Sequence, residues 1–195
     1  MVPGEDRDLI TKAELRRRMA AERDALDPAA ALECSARIRD LILGMPEIRD
    51  AGSIFIYVSC GSEVDTHGLI RALLTAGRTV AVPRSAGDGL MEAHRIRDFG
   101  ELVPGRFGIL APEGSEASAG TPEVSICPGL AFSPQGGRLG RGKAYYDRFL
   151  AAHPGTFAIG LCFGFQVVDA LPVSPEDQPM RAIVTEDRIL QPYLG

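Results

Sequence analysis

The chain has no apolar run that approaches the roughly 18 residues of a membrane span, so none is expected. It opens Met-Val-Pro-Gly-Glu-Asp, acidic where a secretory leader carries basic residues, and a signal peptide is not expected either. It has no C-x-x-C pair. Its four cysteines, Cys34, Cys60, Cys127 and Cys162, are widely spaced, which argues against structural zinc and a disulfide framework and for buried thiols in a cytoplasmic protein. It lacks a surplus of positive charge: a net charge of −5 disfavours general nucleic-acid binding but leaves anionic small substrates open wherever cations cluster. It is also nearly without lysine, with Lys12 and Lys143 standing against 19 arginines. A GC-rich genome explains such a bias. Lysine is a compact charge on a flexible stem, so the two retained lysines also mark places where the planar fork of arginine would serve less well.

What is present fits one domain over residues 1–195, since a chain of 195 residues with 45% hydrophobic content can bury a sizeable core. Thr11-Lys12-Ala13-Glu14 reads as a capping box, followed by an apolar stripe of Leu15, Met19 and Leu26. Asp27-Pro28 starts a second helix lined by Leu32, Ile38, Leu41 and Ile42 and stopped by Gly44 and Pro46. Short β-rich runs then follow: Ser53 to Val58, Thr79 to Val82, Leu90 to Ile96, Val124 to Cys127, Phe157 to Leu161 and Ala182 to Thr185. Helices are expected between them at about Thr66 to Ala76 and Gly142 to Ala152. Alternating strands and helices predict an α/β fold, a three-layer α/β/α domain with a mainly parallel sheet. In such sheets ligands sit on the loops beyond the C-terminal strand ends.

The most informative segment runs from Pro134 to Arg148, Pro-Gln-Gly-Gly-Arg-Leu-Gly-Arg-Gly-Lys-Ala-Tyr-Tyr-Asp-Arg. Glycines let backbone N–H groups approach phosphate oxygens, and a helix start adds positive potential. Arg138, Arg141, Lys143 and Arg148 add four cations. A plain glycine-rich turn would explain the glycines but not the cations. The segment is not a P-loop: after Gly142-Lys143 that loop needs a hydroxyl for Mg²⁺, and Ala144 has none. Asp147 is the nearest carboxylate to the phosphates so proposed, and a hard cation takes one or two carboxylates plus phosphate oxygens. An ion pair with a neighbouring arginine is the plainer role for Asp147, and core packing the plainer role for Tyr145 or Tyr146.

Arg138 to Arg148 resembles the signature of the 5-formyltetrahydrofolate cyclo-ligase family, R-L-G-x-G-x-G-Y-Y-D. Pro128 to Phe132 is similar to its P-G-L-A-F, Phe107-Gly108-Ile109 with Pro112 to its F-G-I-x-x-P, and Gly160, Gln166 and Val167 to its later G…Q-(I/V). The resemblance implies ATP as co-substrate, Mg²⁺, and 5-formyltetrahydrofolate as the substrate closed to 5,10-methenyltetrahydrofolate with release of ADP and phosphate. It implies that Lys12 and Arg16, similar to the family's K-x-x-x-R, bind ATP together with Arg138, Leu139, Gly140, Arg141, Gly142, Lys143, Ala144 and Tyr145. It implies that Asp147 binds the metal, and that Glu63, in the family's E-(V/I)-x-T, meets the formyl end of the folate. Val58, Met91, Phe107 and Tyr146 would line the folate pocket, and Lys143, Tyr146, Asp147 and Glu63 would carry the chemistry. A solvated basic face for Lys12 and Arg16, and apolar core for Val58 and Met91, are the structural alternatives. His67, His94 and His153 are isolated, and no catalytic role is expected of them.

The chain also departs from the family pattern. Ala144 replaces a loop glycine, Ser133 an Asp after P-G-L-A-F, Ala111 a Glu before Pro112, and Glu176-Asp177 a His-Asp. Arg181 stands where some members carry a second magnesium-binding Asp. These departures keep open a diverged, non-cyclising paralogue that binds a nucleotide or another heterocycle. An isomerase or coenzyme A transferase of related fold follows only from fold analogy.

Overall fold

The computed structural model describes residues 10–87, 89–105, 109–113, 117 and 120–192. Phe107, expected at the folate pocket, lies outside the described residues. The elements are α1 (Lys12–Asp24), α2 (Pro28–Gly44), α3 (Pro46–Asp50), β1 (Ser53–Ile56), α4 (His67–Thr75), β2 (Thr79–Gly87), β3 (Leu90–Ile96), β4 (Leu102–Pro104), β5 (Leu110–Pro112), β6 (Val124–Pro128), β7 (Ala131–Phe132), β8 (Arg138–Leu139), α5 (Tyr145–Ala152), β9 (Phe157–Leu161), β10 (Ala182–Val184) and β11 (Ile189–Leu190).

The central sheet has the order β11-β10-β9-β6-β1-β2-β3. The strands β10, β9, β6, β1 and β2 run parallel, and antiparallel β11 and β3 close the two edges. Strand alternation sends successive side chains to opposite faces. Ile54 and Ile56 therefore join the core built with Ile38, Ile42, Leu69, Ile70 and Leu73 of α2 and α4. Phe55 between them joins Phe149 and Leu150 of α5 on the other face. This is the expected three-layer arrangement. Two small hairpins, β4–β5 and β7–β8, complete it. Helix α1 packs Leu15 and Met19 on Leu130, Ala131 and Leu139 of the second hairpin and the turn before it.

The helix starts read from sequence hold in detail. Thr11 and Glu14 form the capping box, and Asp27 caps α2 ahead of Pro28. Three expectations change. Leu32 is 65% exposed instead of lining the core face of α2. Pro46 not only ends α2 but takes the first position of α3, where a proline's missing N–H costs nothing. The helix expected from Gly142 begins only at Tyr145, because Gly142 (φ 97°) and Ala144 (φ 51°) both hold left-handed backbone that no α-helix can include.

Candidate active site

The C-terminal ends of β1 and β6 carry two loops that face α1 and the glycine loop. After β1 the chain turns through Cys60, Ser62 and Glu63 and returns at Thr66. The Thr66 hydroxyl donates to the Tyr57 carbonyl at 2.8 Å and accepts from Ser59 N–H, so it locks the loop instead of capping α4. The segment after β6 is held by Gln166, whose amide nitrogen donates to the Gly129 and Leu130 carbonyls. Gln166 is fully buried, which accounts for a glutamine at that position of the pattern. Ser133 accepts from Gly137 N–H at 3.1 Å, so its hydroxyl supplies the turn acceptor that an Asp there would supply.

The glycine loop divides into a buried and an exposed half. Arg138 and Leu139 are buried. The Arg138 guanidinium donates to Asp147 Oδ1 at 2.8 Å and to the Pro128 carbonyl at 3.3 Å, and its charge lies 5.5 Å from the Tyr146 ring. A side chain at Gly140 would press on that guanidinium, at 2.9 Å. Arg141, Gly142, Lys143 and Ala144 are exposed. The structure therefore gives two cations, Arg141 and Lys143, to the solvent side of the loop, while Arg138 braces it from within. Tyr145 is half-buried beside Arg148, whose Nε donates to the Gly89 carbonyl at 3.1 Å and ties α5 to the β2–β3 hairpin.

Helix α1 brings the remaining cations. Arg16 Nε donates to the Gly140 carbonyl at 2.9 Å and so lies against the loop. Lys12 Nζ meets Asp177 at 2.6 Å and Ser174 at 2.9 Å. Burial pushes the Asp177 carboxyl up, but hydrogen bonds from Lys12 and from Ser174 N–H outweigh burial and hold it below its ordinary value. The neighbouring Gln178 N–H donates to Asp147 Oδ1 at 3.2 Å. Asp177 and Asp147 thus flank the same loop through adjacent residues, and Asp177 is a site carboxylate that the motif reading mentions only as a departure. Arg181 follows Met180, whose N–H donates to the Gly136 carbonyl at 2.8 Å; its own backbone N–H bonds Ala158 and its charge lies over Phe157.

Glu63 meets the glycine loop directly. Its Oε1 accepts from Arg141 at 3.1 Å and its Oε2 from Cys60 N–H at 3.1 Å. Tyr146 sits half-buried beneath, tilted against Phe55 at 6.3 Å, and burial pushes its hydroxyl well above its ordinary value. Val58 is buried in the larger core cluster, and Met91 is half-buried against the cluster of Phe55 and Phe149. The buried Arg23 of α1, which no motif marks, joins the same corner through Ser62 and Gly129.

Ala144 is the one described non-glycine residue with positive φ. Left-handed backbone costs an L-residue about 1–2 kcal/mol. Ala144→Gly should therefore raise stability by about 1 kcal/mol after the added freedom of the unfolded chain is subtracted. That is a rise of about 2–4 °C in melting temperature for a chain of this size, which calorimetry can resolve. An unchanged or lower melting temperature would show that the loop does not hold this strain.

The comparisons agree with this architecture. The 5-formyltetrahydrofolate cyclo-ligase family model matches residues 9–186. An Escherichia coli K12 protein named 5-formyltetrahydrofolate cyclo-ligase is 31% identical, covering 86% of this chain and 96% of that one. A Caenorhabditis elegans protein named probable 5-formyltetrahydrofolate cyclo-ligase is 28% identical over 90% of this chain and 92% of its own. The NMR structure of Aquifex aeolicus 5,10-methenyltetrahydrofolate synthetase superposes with a TM-score of 0.85 at 28% identity, covering 95% of each chain. With the matched region taking in α1, the glycine loop and the Asp177 segment alike, the chain belongs to the 5-formyltetrahydrofolate cyclo-ligase family.

Proposed function

We propose that this chain closes 5-formyltetrahydrofolate to 5,10-methenyltetrahydrofolate, with ATP as co-substrate, at the corner where the glycine loop meets Glu63. The observation that carries the reading is the 3.1 Å contact between Arg141 and Glu63. It joins a loop suited to phosphate to the carboxylate expected at the formyl group, which a cyclo-ligase must bring together. A formyl oxygen is a poor leaving group. Transfer of the γ-phosphoryl to that oxygen forms the new P–O bond and breaks the bond to ADP. N10 then attacks the formyl carbon, and phosphate leaves with the former formyl oxygen and takes up the proton that N10 gives off. Little covalent chemistry falls to the protein, whose work is positioning and charge stabilisation.

Arg141, Lys143 and Arg16, with the backbone N–H groups of Gly140 to Gly142, take the phosphates. Lys12 can join them by leaving Asp177. Among the described residues no group of three or more His, Cys, Asp or Glu side chains gathers to hold a metal ion. Two carboxylates beside a phosphate loop fit Mg²⁺ carried in by the nucleotide, with Asp147 and Asp177 as its protein-side partners. Mg²⁺ when bound would neutralise phosphate charge and orient the β- and γ-phosphates. Asp147 keeps Arg138 and Gln178 on Oδ1, which fixes the carboxylate in place. Glu63 orients the formyl–N10 end, and Tyr146, Val58 and Met91 border it.

The test is absorbance at the methenyl-folate band after mixing the protein with 5-formyltetrahydrofolate, ATP and Mg²⁺. A rise that requires all three is expected. A folded protein that binds ATP yet gives no rise would replace this reading with the non-cyclising paralogue.

A further inference from the structure

Three cations of α1, Lys12, Arg16 and Arg23, stand at i, i+4 and i+11. At 3.6 residues per turn these positions share one face, and at 1.5 Å per residue they span about 16 Å. The row follows the proposed reaction path. Lys12 lies at the Asp177 segment, Arg16 lies on the Gly140 carbonyl, and Arg23 reaches the loops after β1 and β6.

Arg23 is built into its place at a cost. It is 5% exposed, and no carboxylate among the described residues lies within ion-pair distance of it. Its Nε donates to Ser62 Oγ at 3.1 Å and its Nη1 to the Gly129 carbonyl at 3.4 Å, both neutral acceptors. Asp24 reaches it only through the Ser62 hydroxyl. A buried cation without a paired carboxylate is unfavourable, and burial lowers its pKa while Glu63 partly offsets that. A guanidinium has five N–H donors, and these contacts use two of them. The described buried side-chain N and O atoms that lack a partner are Glu47 Oε2 and Arg138 Nε. Nη2 of Arg23 donates to no described residue and is not among those buried atoms, so solvent reaches it, and Ser62, on which the same guanidinium rests, adjoins Glu63 in the chain.

We propose that Arg23 is an anion-binding residue of the reaction, whose free Nη2 receives the phosphoryl oxygens as they arrive at the formyl oxygen beside Glu63. The inference rests on the proposed cyclisation for the identity of the anion, but the anion site itself does not depend on it. Arg141 bonds Glu63 and Arg23 bonds the adjoining Ser62, so the group passing from ATP to the formyl oxygen is held by Arg141 at its start and by Arg23 at its end. Such donors act where charge develops in the transition state.

The experiment compares wild type with Arg23→Met and Arg23→Lys. It measures kcat, KM for ATP, and inhibition by the product anion, inorganic phosphate. Arg23→Met should lower kcat about 100-fold, leave KM for ATP within about twofold, and weaken phosphate inhibition about tenfold. A purely structural role would not shift the phosphate constant while sparing ATP. Arg23→Lys keeps the charge but loses the fork to Ser62 and Gly129. It should lose at least about tenfold in kcat, and it carries the test if the methionine variant does not fold. Wild-type kcat and wild-type phosphate inhibition in either folded variant would overturn the proposal. If wild type does not cyclise, that reading fails by itself. Phosphate binding measured by calorimetry, present in wild type and lost in Arg23→Met, would still support the anion site, and equal binding would overturn it.

Discussion

Arg138→Met should lower folding stability by about 3–5 kcal/mol, more than an equivalent change at any exposed cation of the glycine loop. The side chain is 2% exposed, and its removal strands Asp147, whose side chain is only 16% exposed and takes its charge partner from Arg138. Methionine fills much of the volume but returns neither donor. At about 2–4 °C per kcal/mol for a chain of this length, the melting temperature should fall by about 6–20 °C. Urea titration checks the same quantity. Lys143→Met is the contrast: Lys143 is exposed and forms no ion pair among the described residues, so its stability change should stay within about 0.5 kcal/mol while ATP binding weakens. Equal stability in the two variants would mean that Arg138 does not brace the loop.

Asp147→Asn should cost turnover above all, with a smaller loss of stability than Arg138→Met, because the buried Arg138 guanidinium stays hydrogen-bonded but loses its charge partner. An asparagine oxygen can still accept from Arg138 and from Gln178 N–H, so the local geometry survives better than in Arg138→Met. What is lost is the negative charge that a phosphate-borne Mg²⁺ would meet. We expect kcat to drop on the order of 10²-fold, with folate affinity nearly unchanged, because Asp147 lies on the phosphate side of the corner and Glu63 on the folate side. Raising Mg²⁺ should recover part of the loss if Asp147 contributes affinity for the ion. Full turnover at saturating Mg²⁺ would remove Asp147 from the metal's surroundings.

These two variants separate what the sequence shows from what only the fold reveals. Alternation and capping are local properties, so the capping box at Thr11, the buried runs at Ile54 and Val124 and the layer order could be read residue by residue. The glycine loop was legible because its residue types are tied to chemistry at fixed spacing. Its inner and outer halves were not. Arg138 and Arg141 are alike in sequence, and only the approach of α5 and Pro128 turns the first inward. Arg23 and Asp177 were missed for the same reason: each is a common charged residue whose meaning comes from segments remote in the chain, Gly129 and Ser62 for one and Lys12 for the other. Leu32 failed in the opposite direction, because helical periodicity marks a stripe but not where the neighbouring elements end.

The Lys12–Asp177 pair closes a span of 165 residues. Contacts of such sequence separation form late, after the loop-closure entropy of the intervening chain has been overcome by the sheet. On the ribosome, the strands β1, β2 and β6 and the glycine loop emerge before the Asp177 segment does. A nascent chain can thus hold a finished glycine loop and still lack the brace that Gln178 gives Asp147 and Asp177 gives Lys12. Lys12 and Asp147 would then reach their final positions only in a late step, when the last strands dock.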